Sequence, residues 1–330
     1  MRALVTGGAG FIGSALAHEL IAAGAEVRVF DNLSTGRIES VPQGAEFVLG
    51  DLCDPGEVAD ACRDIEVVFH QAAIRSVPRS MDDPGLTNDS NVTGTLNLLR
   101  AASAHGVRKL VYASSSSAYG DSETRPLSED LSPRPLSPYA VSKLAGEYYC
   151  GVWSQSFGLP TVSLRYFNVF GPGQRPDSKY AAVFPAFTSA LVNGRAPEIH
   201  WDGEQSRDFT FIDDVVRANI AAAEAGSRCE GEVVNIGSNR PRTINEVLRS
   251  VSAALDRWIE PEMKPKRPGD VRHTHADTTK AWSLLGWRPE VEWSDAVALT
   301  VDWFLRGTRT PSEEPALQAV ETGTDGRMAS

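Results

Sequence analysis

The amino-acid sequence predicts an α/β protein built on a doubly wound parallel sheet. Short apolar segments rich in Val, Leu and Phe alternate with helical stretches through the first half of the chain, which is the order expected when helices connect parallel strands. The apolar runs are nearly continuous, and this indicates strands buried on both faces. A glycine-rich turn separates the first strand from the first helix. These three observations predict a sheet covered by helices on both sides.

The elements follow from local patterns. In chain order the predicted strands are RALVTG, EVRVFD, AEFVLGD, VVFHQAA, KLVYASSS and TVSLRYFNVFG. A first helix is predicted from about Phe11 to Ala23. A second helix is predicted to begin after Ser137, which is a good N-cap, with Pro138 at the first helical position, and to continue to at least Tyr149.

The character of the sequence changes after residue 170. Pro, Gly and Arg become frequent from Gly171 to about Ser206, and again near KPKRPGDVRHTHAD. We therefore predict a cofactor-binding domain over 1–170 that also receives a later segment at about 208–240. A smaller, interleaved C-terminal substrate-binding domain is predicted over 171–307, with the ligand cleft between the two. The polar segment 308–330 lacks aromatic residues and is predicted to be a disordered tail.

Composition argues against several classes of function. The 330-residue chain has a formal net charge of -11 and a pI near 5.1, which disfavours sequence-independent binding to nucleic acid or to an anionic membrane. No apolar run approaches the ~20 residues that a membrane span needs, and the N-terminus shows no signal-peptide pattern. The four cysteines have neither zinc-type spacing nor the density of a disulfide scaffold. We therefore expect reduced thiols, no metal and a cytoplasmic protein.

The turn VTGGAGFIG predicts a dinucleotide site. Gly7 permits the tight turn, Gly10 lets backbone amides approach a pyrophosphate at the helix N-terminus, and Gly13 lets helix and strand pack closely. Asp31 ends the second strand, where a carboxylate accepts hydrogen bonds from the ribose hydroxyls of NAD and repels the extra phosphate of NADP. We therefore predict a Rossmann-type domain that binds NAD. Further predicted cofactor contacts at the strand ends and the helix N-terminus are Phe11, Ile12, Asn32, Asp51, Leu52, Gln71, Ala72 and Ala73.

Tyr139 and Lys143 are one helical turn apart and share a face. Ordinary amphipathic helices also carry such pairs, but beside a dinucleotide site the pair becomes a candidate for proton transfer. A phenol with a pKa near 10 is a poor base at neutral pH, so we expect the lysine ammonium, the oxidised nicotinamide and the helix N-terminus to lower that pKa. Ser115, at the end of the fifth strand, is expected to hydrogen-bond the substrate hydroxyl while Tyr139 removes its proton. Lys143 is also expected to hold the nicotinamide ribose.

Together these motifs resemble the extended short-chain dehydrogenase/reductase family, and within it the NAD-dependent UDP-sugar 4-epimerases. The resemblance runs from VTGGAGFIG through HQAAIRSVPRS, SSSSAYGD, PLSPYAVSK, LRYFNVFGP and DGEQSRDFTFIDDVV to RPGDVRHTHAD. It implies an isomerase that oxidises carbon 4 of the sugar and returns the same hydride to the other face. Related dehydratases and decarboxylases carry an acid-base carboxylate where this chain has Ser116 and Ser117, so elimination lacks its proton carriers. The resemblance also implies a homodimer through a four-helix bundle formed by the helix carrying Tyr139 and the helix near NVTGTLNLLRAASAHG.

The resemblance implies a uridine diphosphate but leaves the sugar open. Thr274 stands where epimerases restricted to glucose and galactose often have an aromatic wall, which leaves room for an N-acetyl group, and SVPRS and YAAVFP are similar to enzymes acting on UDP-N-acetylglucosamine. Arg175 stands where UDP-glucuronate 4-epimerases carry an arginine that can pair with the sugar carboxylate, and a buried carboxylate needs such a partner. We therefore predict UDP-glucuronate/UDP-galacturonate, with UDP-N-acetylglucosamine or UDP-glucose as the alternative. Arg75 and Arg79 are further candidates to contact phosphate or carboxylate. The other substrate contacts that the resemblance implies are Ser76, Ser116, Ser117, Asn168, Arg207, Arg267 and Asp270.

Two other classes of function stay open at this point. A dinucleotide fold that only senses NAD has usually lost the Tyr or the Lys, and both are present here. A net oxidoreductase or a dehydratase would accumulate NADH or a keto sugar during turnover.

Overall fold

The computed structural model of the chain describes residues 1–176, 182–267 and 270–308. Short helical turns aside, its elements in chain order are β1 (Arg2–Thr6), α1 (Phe11–Ala22), β2 (Glu26–Asp31), β3 (Glu46–Leu49), α2 (Pro55–Ala61), β4 (Val67–His70), α3 (Val77–Asp82), α4 (Pro84–Asn88), α5 (Gly94–Ala104), β5 (Lys109–Ser115), α6 (Pro138–Ser156), β6 (Thr161–Tyr166), β7 (Asn168–Phe170), α7 (Val183–Val192), β8 (Glu198–His200), β9 (Ser206–Arg207), β10 (Phe209–Phe211), α8 (Ile212–Glu224), β11 (Glu232–Ile236), β12 (Arg242–Thr243), α9 (Ile244–Ala254), β13 (Glu262–Lys264), α10 (Thr279–Leu285) and α11 (Trp293–Thr308).

The predicted fold class is confirmed. A seven-stranded sheet has the order β11-β6-β5-β4-β1-β2-β3, and every neighbouring pair in it is parallel. The order reverses between β1 and β4, which is the topological switch point of a doubly wound sheet. Buried apolar residues form one cluster on each face of the sheet, and helices α1 and α8 cover one face while α2, α5 and α6 cover the other.

One strand prediction was wrong. The segment TVSLRYFNVFG is two strands, because the chain leaves the sheet at Phe167. The N–H of Phe167 donates to the carbonyl of Ile236, the last residue of β11, and the next residue, Asn168, donates to the carbonyl of Asp208. Strand β7 therefore pairs with β10 outside the main sheet.

The strands that follow β7 lie partly in the main sheet and partly in small separate ladders. Strand β11 lies at the edge of the main sheet beside β6, whereas β8 pairs with β13 and β9 pairs with β12 in two small ladders. The division into two domains stays a prediction, and the predicted tail lies outside the described residues from 309 onward.

Three further observations concern membrane helices, metal sites and cysteines. In the described ranges, no helix combines the length and apolar character that crossing a bilayer requires, and no group of three or more His, Cys, Asp or Glu is arranged to hold a metal ion. All four cysteines are free: Cys62, Cys150 and Cys229 are buried, and Cys53 is exposed.

Candidate active site

A cavity of about 380 Å³ lies outside the carboxyl ends of β1 to β6, at the switch point between β1 and β4. This is where open α/β sheets bind their ligands. The predicted site residues that line this cavity are Gly7, Gly10, Phe11, Ile12, Gly13, Asp31, Asn32, Asp51, Leu52, Gln71, Ala72, Ala73, Ser115, Tyr139, Lys143 and Asn168.

The β1–α1 turn has the shape that a pyrophosphate site requires. Gly7 has a φ of +70°, and a Cβ placed there would lie 2.6 Å from the backbone nitrogen of Ala72. A Cβ on Gly13 would lie 2.2 Å from the carbonyl oxygen of Gly7, so only glycine allows this packing of helix on turn. Gly10 is the N-cap of α1, and no side chain caps the helix. The first N–H groups of α1 are therefore free of a side-chain acceptor and suit an anion.

Two carboxylates are fixed at the ends of β2 and β3. Asp31, only 9% exposed, accepts hydrogen bonds from the N–H groups of Ala9 (3.0 Å, Oδ2) and Leu33 (2.8 Å, Oδ1). Each oxygen keeps a lone pair for a ribose hydroxyl. Asp51 accepts from the N–H of Cys53 (2.8 Å) and the amide of Asn32 (2.9 Å), and these hydrogen bonds lower its pKa. These two acceptors fit the hydroxyl and amino donors of the adenosine half of NAD.

The helix that carries the candidate proton carriers begins as predicted. Ser137 is its N-cap and its hydroxyl accepts from the N–H of Ala140 (3.2 Å), with Pro138 in the first turn. Lys143 is 3% exposed, and its ammonium donates to the carbonyl of Ala113 on β5 (2.8 Å). Burial lowers the pKa of Lys143 to about 8.

The pKa of Tyr139 behaves differently from the expectation. Desolvation raises the pKa of this phenol, while a hydrogen bond with Ser115 and the positive charge of Arg75 oppose the rise. The groups of the chain alone therefore do not lower this pKa, and the lowering by the oxidised nicotinamide stays a prediction. The reason is that loss of water at the buried phenol outweighs the nearby positive charge of Arg75.

The serines after β5 form a compact turn. Ser117 donates to the hydroxyl of Ser115 through its backbone N–H (3.2 Å) and its own hydroxyl (2.8 Å). Ser116 lies in the same 3₁₀ turn, Ser116–Tyr119. Neither Ser116 nor Ser117 lines the cavity, so Ser117 reaches it only through Ser115.

Three of the predicted substrate contacts, Arg207, Arg267 and Asp270, do not line the cavity. Arg207 is 3.6 Å from the carboxylate of Asp270 and donates to the carbonyls of Ser206 and Arg272. Burial lowers the pKa of Arg207, and Asp270 opposes this shift.

Arg267 lies 2.8 Å from Nε2 of His200. Because a guanidinium only donates, Nε2 accepts, and Nδ1 is left to donate to the carbonyl of Pro265 (3.1 Å). These contacts assign Nδ1 of His200 as a donor and Nε2 as an acceptor.

Four other candidates also lie off the cavity wall. Thr274 is buried and its hydroxyl accepts from the N–H of Asp208 (3.1 Å), so this side chain supports the backbone. Ser76 caps α3 and has a φ of +105°. Arg175 is half-buried in the loop after β7. Of the two arginines in IRSVPRS, Arg75 lines the cavity and Arg79 does not.

The sequence analysis missed two groups. Gln174 lines the cavity although no pattern singled it out. Glu147 and Arg165 form a buried ion pair beside the site, and the charge of Arg165 within a strand predicted to be buried was a signal that could have found the pair.

Known proteins are similar over nearly the whole described chain. Residues 3–237 match the model of the NAD dependent epimerase/dehydratase family. The UDP-glucose 4-epimerase of Mycolicibacterium smegmatis is 40% identical over 313 residues, which cover 92% of this chain and 98% of that protein. The UDP-N-acetylglucosamine 4-epimerase of Methanobrevibacter ruminantium, solved with UDP-N-acetylmuramic acid, has a TM-score of 0.88 at 37% identity and covers 93% of this chain and 98% of its own. The UDP-glucuronic acid 4-epimerase of Bacillus cereus was solved with UDP-glucuronic acid and NAD. Its structure has a TM-score of 0.86 at 35% identity, and the match covers 93% of this chain and 99% of that chain.

These similarities confirm the predicted resemblance to UDP-sugar 4-epimerases, the isomerase class and NAD as the cofactor. The family model spans more than half of the chain, and the residues that it covers include the glycine turn and the Tyr139–Lys143 helix. The chain belongs to the NAD dependent epimerase/dehydratase family.

Proposed function

We propose that this protein is an NAD-dependent UDP-sugar 4-epimerase whose preferred substrate pair is UDP-glucuronate and UDP-galacturonate. The choice of sugar rests on the position of Arg175 and on its lack of a partner. It directly follows Gln174, which lines the cavity, and within the described residues its half-buried guanidinium has no hydrogen bond or ion pair. Arg175 itself does not line the cavity. A sugar carboxylate that extends from the cavity toward this loop would provide the forked partner that the guanidinium lacks.

The proton chemistry rests on two side chains. Tyr139 and Ser115 both line the cavity, and the Ser115 hydroxyl favours the ionised form of the phenol. In the proposed reaction Ser115 holds the 4-hydroxyl of the sugar while Tyr139 takes its proton, and the same phenol returns the proton when the ketone is reduced on its other face. NAD supplies the hydride acceptor and a positive charge beside the phenol. Ser116 and Ser117 provide no carboxylate for elimination, which favours epimerisation over dehydration.

The sugar-binding argument also draws on Thr274. Its hydroxyl is used by the backbone of Asp208 and it does not line the cavity, so the room for an N-acetyl group that the sequence suggested there has no support from its position. The similar proteins include enzymes named for glucose, N-acetylglucosamine and glucuronate at comparable identity, so the choice rests on Arg175.

The test compares turnover of UDP-glucuronate, UDP-N-acetylglucosamine and UDP-glucose by wild-type protein and by Arg175→Met. We expect the highest kcat/KM with UDP-glucuronate, and a loss of about 10- to 100-fold for this substrate alone in the variant, which is the size of a hydrogen bond to a charged group. Arg195→Met, at an exposed position, is the matched control.

Different failures of this test point to different errors. Faster turnover of UDP-N-acetylglucosamine with an unaffected Arg175→Met variant would refute the substrate and leave the epimerase reaction intact. Full activity of Tyr139→Phe would refute the mechanism, and accumulation of NADH would indicate a net oxidoreductase.

We also propose that the protein is a cytoplasmic homodimer. Val141, Tyr148 and Val152 are 53%, 62% and 46% exposed and recur at helical spacing on α6, which gives this helix an uncovered apolar face. A second copy of α6 would cover it. Sedimentation at micromolar concentration should show a dimer that Tyr148→Glu dissociates, whereas Leu299→Glu, on the exposed side of α11, should not. A wild-type monomer would refute the dimer.

A further inference from the structure

Gln174 is a buried amide in the wall of the active-site cavity. It is 5% exposed, and its Nε2 donates to the carbonyl of Val169 (2.9 Å). Because a carbonyl accepts only from the NH₂ end of an amide, this contact fixes which atom is which. The remaining atom, Oε1, is buried and has no donor in the part of the chain that the structure describes.

The loop holds this oxygen in place. The N–H of Gln174 donates to the carbonyl of Gly171 (3.2 Å), and Gly173, with a φ of +90°, packs so that a Cβ there would lie 3.4 Å from the ring of Phe11. The side chain is therefore tied at its backbone and at Nε2. A buried acceptor without a donor costs about 1–3 kcal/mol, so a group that hydrogen-bonds to it is favoured.

Location separates Gln174 from a similar residue. Gln205 is also 5% exposed, donates through Nε2 to the carbonyl of His200 (2.7 Å) and has a buried Oε1 without a partner. Gln205 does not line the cavity, whereas Gln174 does. Of these two buried glutamines, only Gln174 therefore lies beside a space that a ligand can occupy.

We propose that Oε1 of Gln174 accepts a hydrogen bond from an O–H or N–H group of a ligand bound in this cavity. Phosphate oxygens and a carboxylate are excluded as partners because they are acceptors, as the amide oxygen is. The donor is a hydroxyl of the sugar nucleotide or a hydroxyl or carboxamide of NAD. Gln174 thus selects a donor, while its neighbour Arg175 selects an acceptor. For the sugar nucleotide this inference rests on the proposed function, and for NAD it does not.

Gln174→Met tests the proposal because it keeps the length of the side chain and removes both polar atoms. Dissociation constants are measured by calorimetry for NAD with nucleotide-free protein, and for UDP-glucuronate with NAD-loaded protein. We expect the variant to bind one of these two ligands about tenfold more weakly and the other unchanged, because one hydrogen bond is lost. Selective weakening of UDP-glucuronate places the donor on the sugar nucleotide, and selective weakening of NAD places it on the cofactor.

A purely structural role gives a different result. Thermal unfolding of nucleotide-free Gln174→Met is compared with Gln205→Met, which loses the same two atoms away from the cavity. Unchanged affinity for both ligands overturns the proposal. An equal loss for both ligands, together with a lower Tm than wild type, also overturns it, since that marks an anchor of the loop only. If wild-type protein converts another UDP-sugar and not UDP-glucuronate, that sugar nucleotide is used in its arm, so failure of the proposed substrate is recognised separately.

Discussion

Removal of Arg165 is expected to destabilise the protein strongly. Its guanidinium, on β6, makes two 2.7 Å hydrogen bonds to the carboxylate of Glu147 on α6, and the two side chains are 4% and 2% exposed. Ser114 also donates to this carboxylate, and the guanidinium lies 4.6 Å from the centre of the Tyr119 ring. Arg165→Met leaves the charge of Glu147 buried with one neutral donor. Breaking a buried pair in this way costs about 3–5 kcal/mol.

The assay is urea unfolding of nucleotide-free protein at pH 7, with two comparisons. The double variant Glu147→Leu/Arg165→Met removes both charges and should be clearly more stable than Arg165→Met alone, because no uncompensated charge remains. Arg2→Met breaks an exposed ion pair with Glu26 (3.0 Å) and should change the free energy of unfolding by at most about 1 kcal/mol. A loss below about 1 kcal/mol in Arg165→Met, or a double variant less stable than the single one, would refute the reasoning.

Three further outcomes follow from the same geometry. Gly146→Ala should lower the free energy of unfolding by about 1–3 kcal/mol, because the added Cβ would lie 2.2 Å from the hydroxyl of Tyr112. Gly151→Ala on the same helix, where the nearest neighbour is 3.9 Å away, should raise it by up to about 1 kcal/mol. Changes of the same sign for the two variants in urea unfolding would contradict this. The pKa of Lys143 falls from 10.5 to about 8, so native protein loses this proton at a lower pH than unfolded protein does. Wild type should therefore gain about 3 kcal/mol of stability relative to Lys143→Met as pH rises from 8 to 10.5, and a constant difference would show that this pKa is not lowered. Asp31→Ala should lower the ratio of NAD to NADP affinity at least about tenfold, measured by calorimetry, and an unchanged ratio would remove Asp31 from the ribose site.

The parts of the structure that could be predicted from the sequence are those determined by residues close together in the chain. The glycine turn, the strand before it and the helix after it lie within the first 22 residues, and the N-cap of α6 depends on Ser137 and Pro138 alone. Helix caps and glycine spacing act over one or two turns of chain, so they can be read without knowing the fold.

The parts that sequence could not supply depend on distant partners. The break after Tyr166 follows from where β11 ends, some seventy residues later, because Ile236 offers the last carbonyl that Phe167 can use. The orientation of the Gln174 side-chain amide likewise depends on its hydrogen bond to the carbonyl of Val169. A pattern of residue types does not contain these contacts.

The pair that first indicated catalysis shows the same division most clearly. The spacing of Tyr139 and Lys143 on one helix was readable, but burial acts on the two groups in opposite directions: it raises the pKa of the phenol above 10 and lowers that of the ammonium to about 8. Both shifts oppose the arrangement in which an ammonium supports a phenolate. Positive charge at the phenol acts the other way, and Arg75 already contributes in this direction. It follows that the spacing of the two residues identifies the catalytic helix, whereas their protonation is set by desolvation and by the charges that face Tyr139 across the cavity.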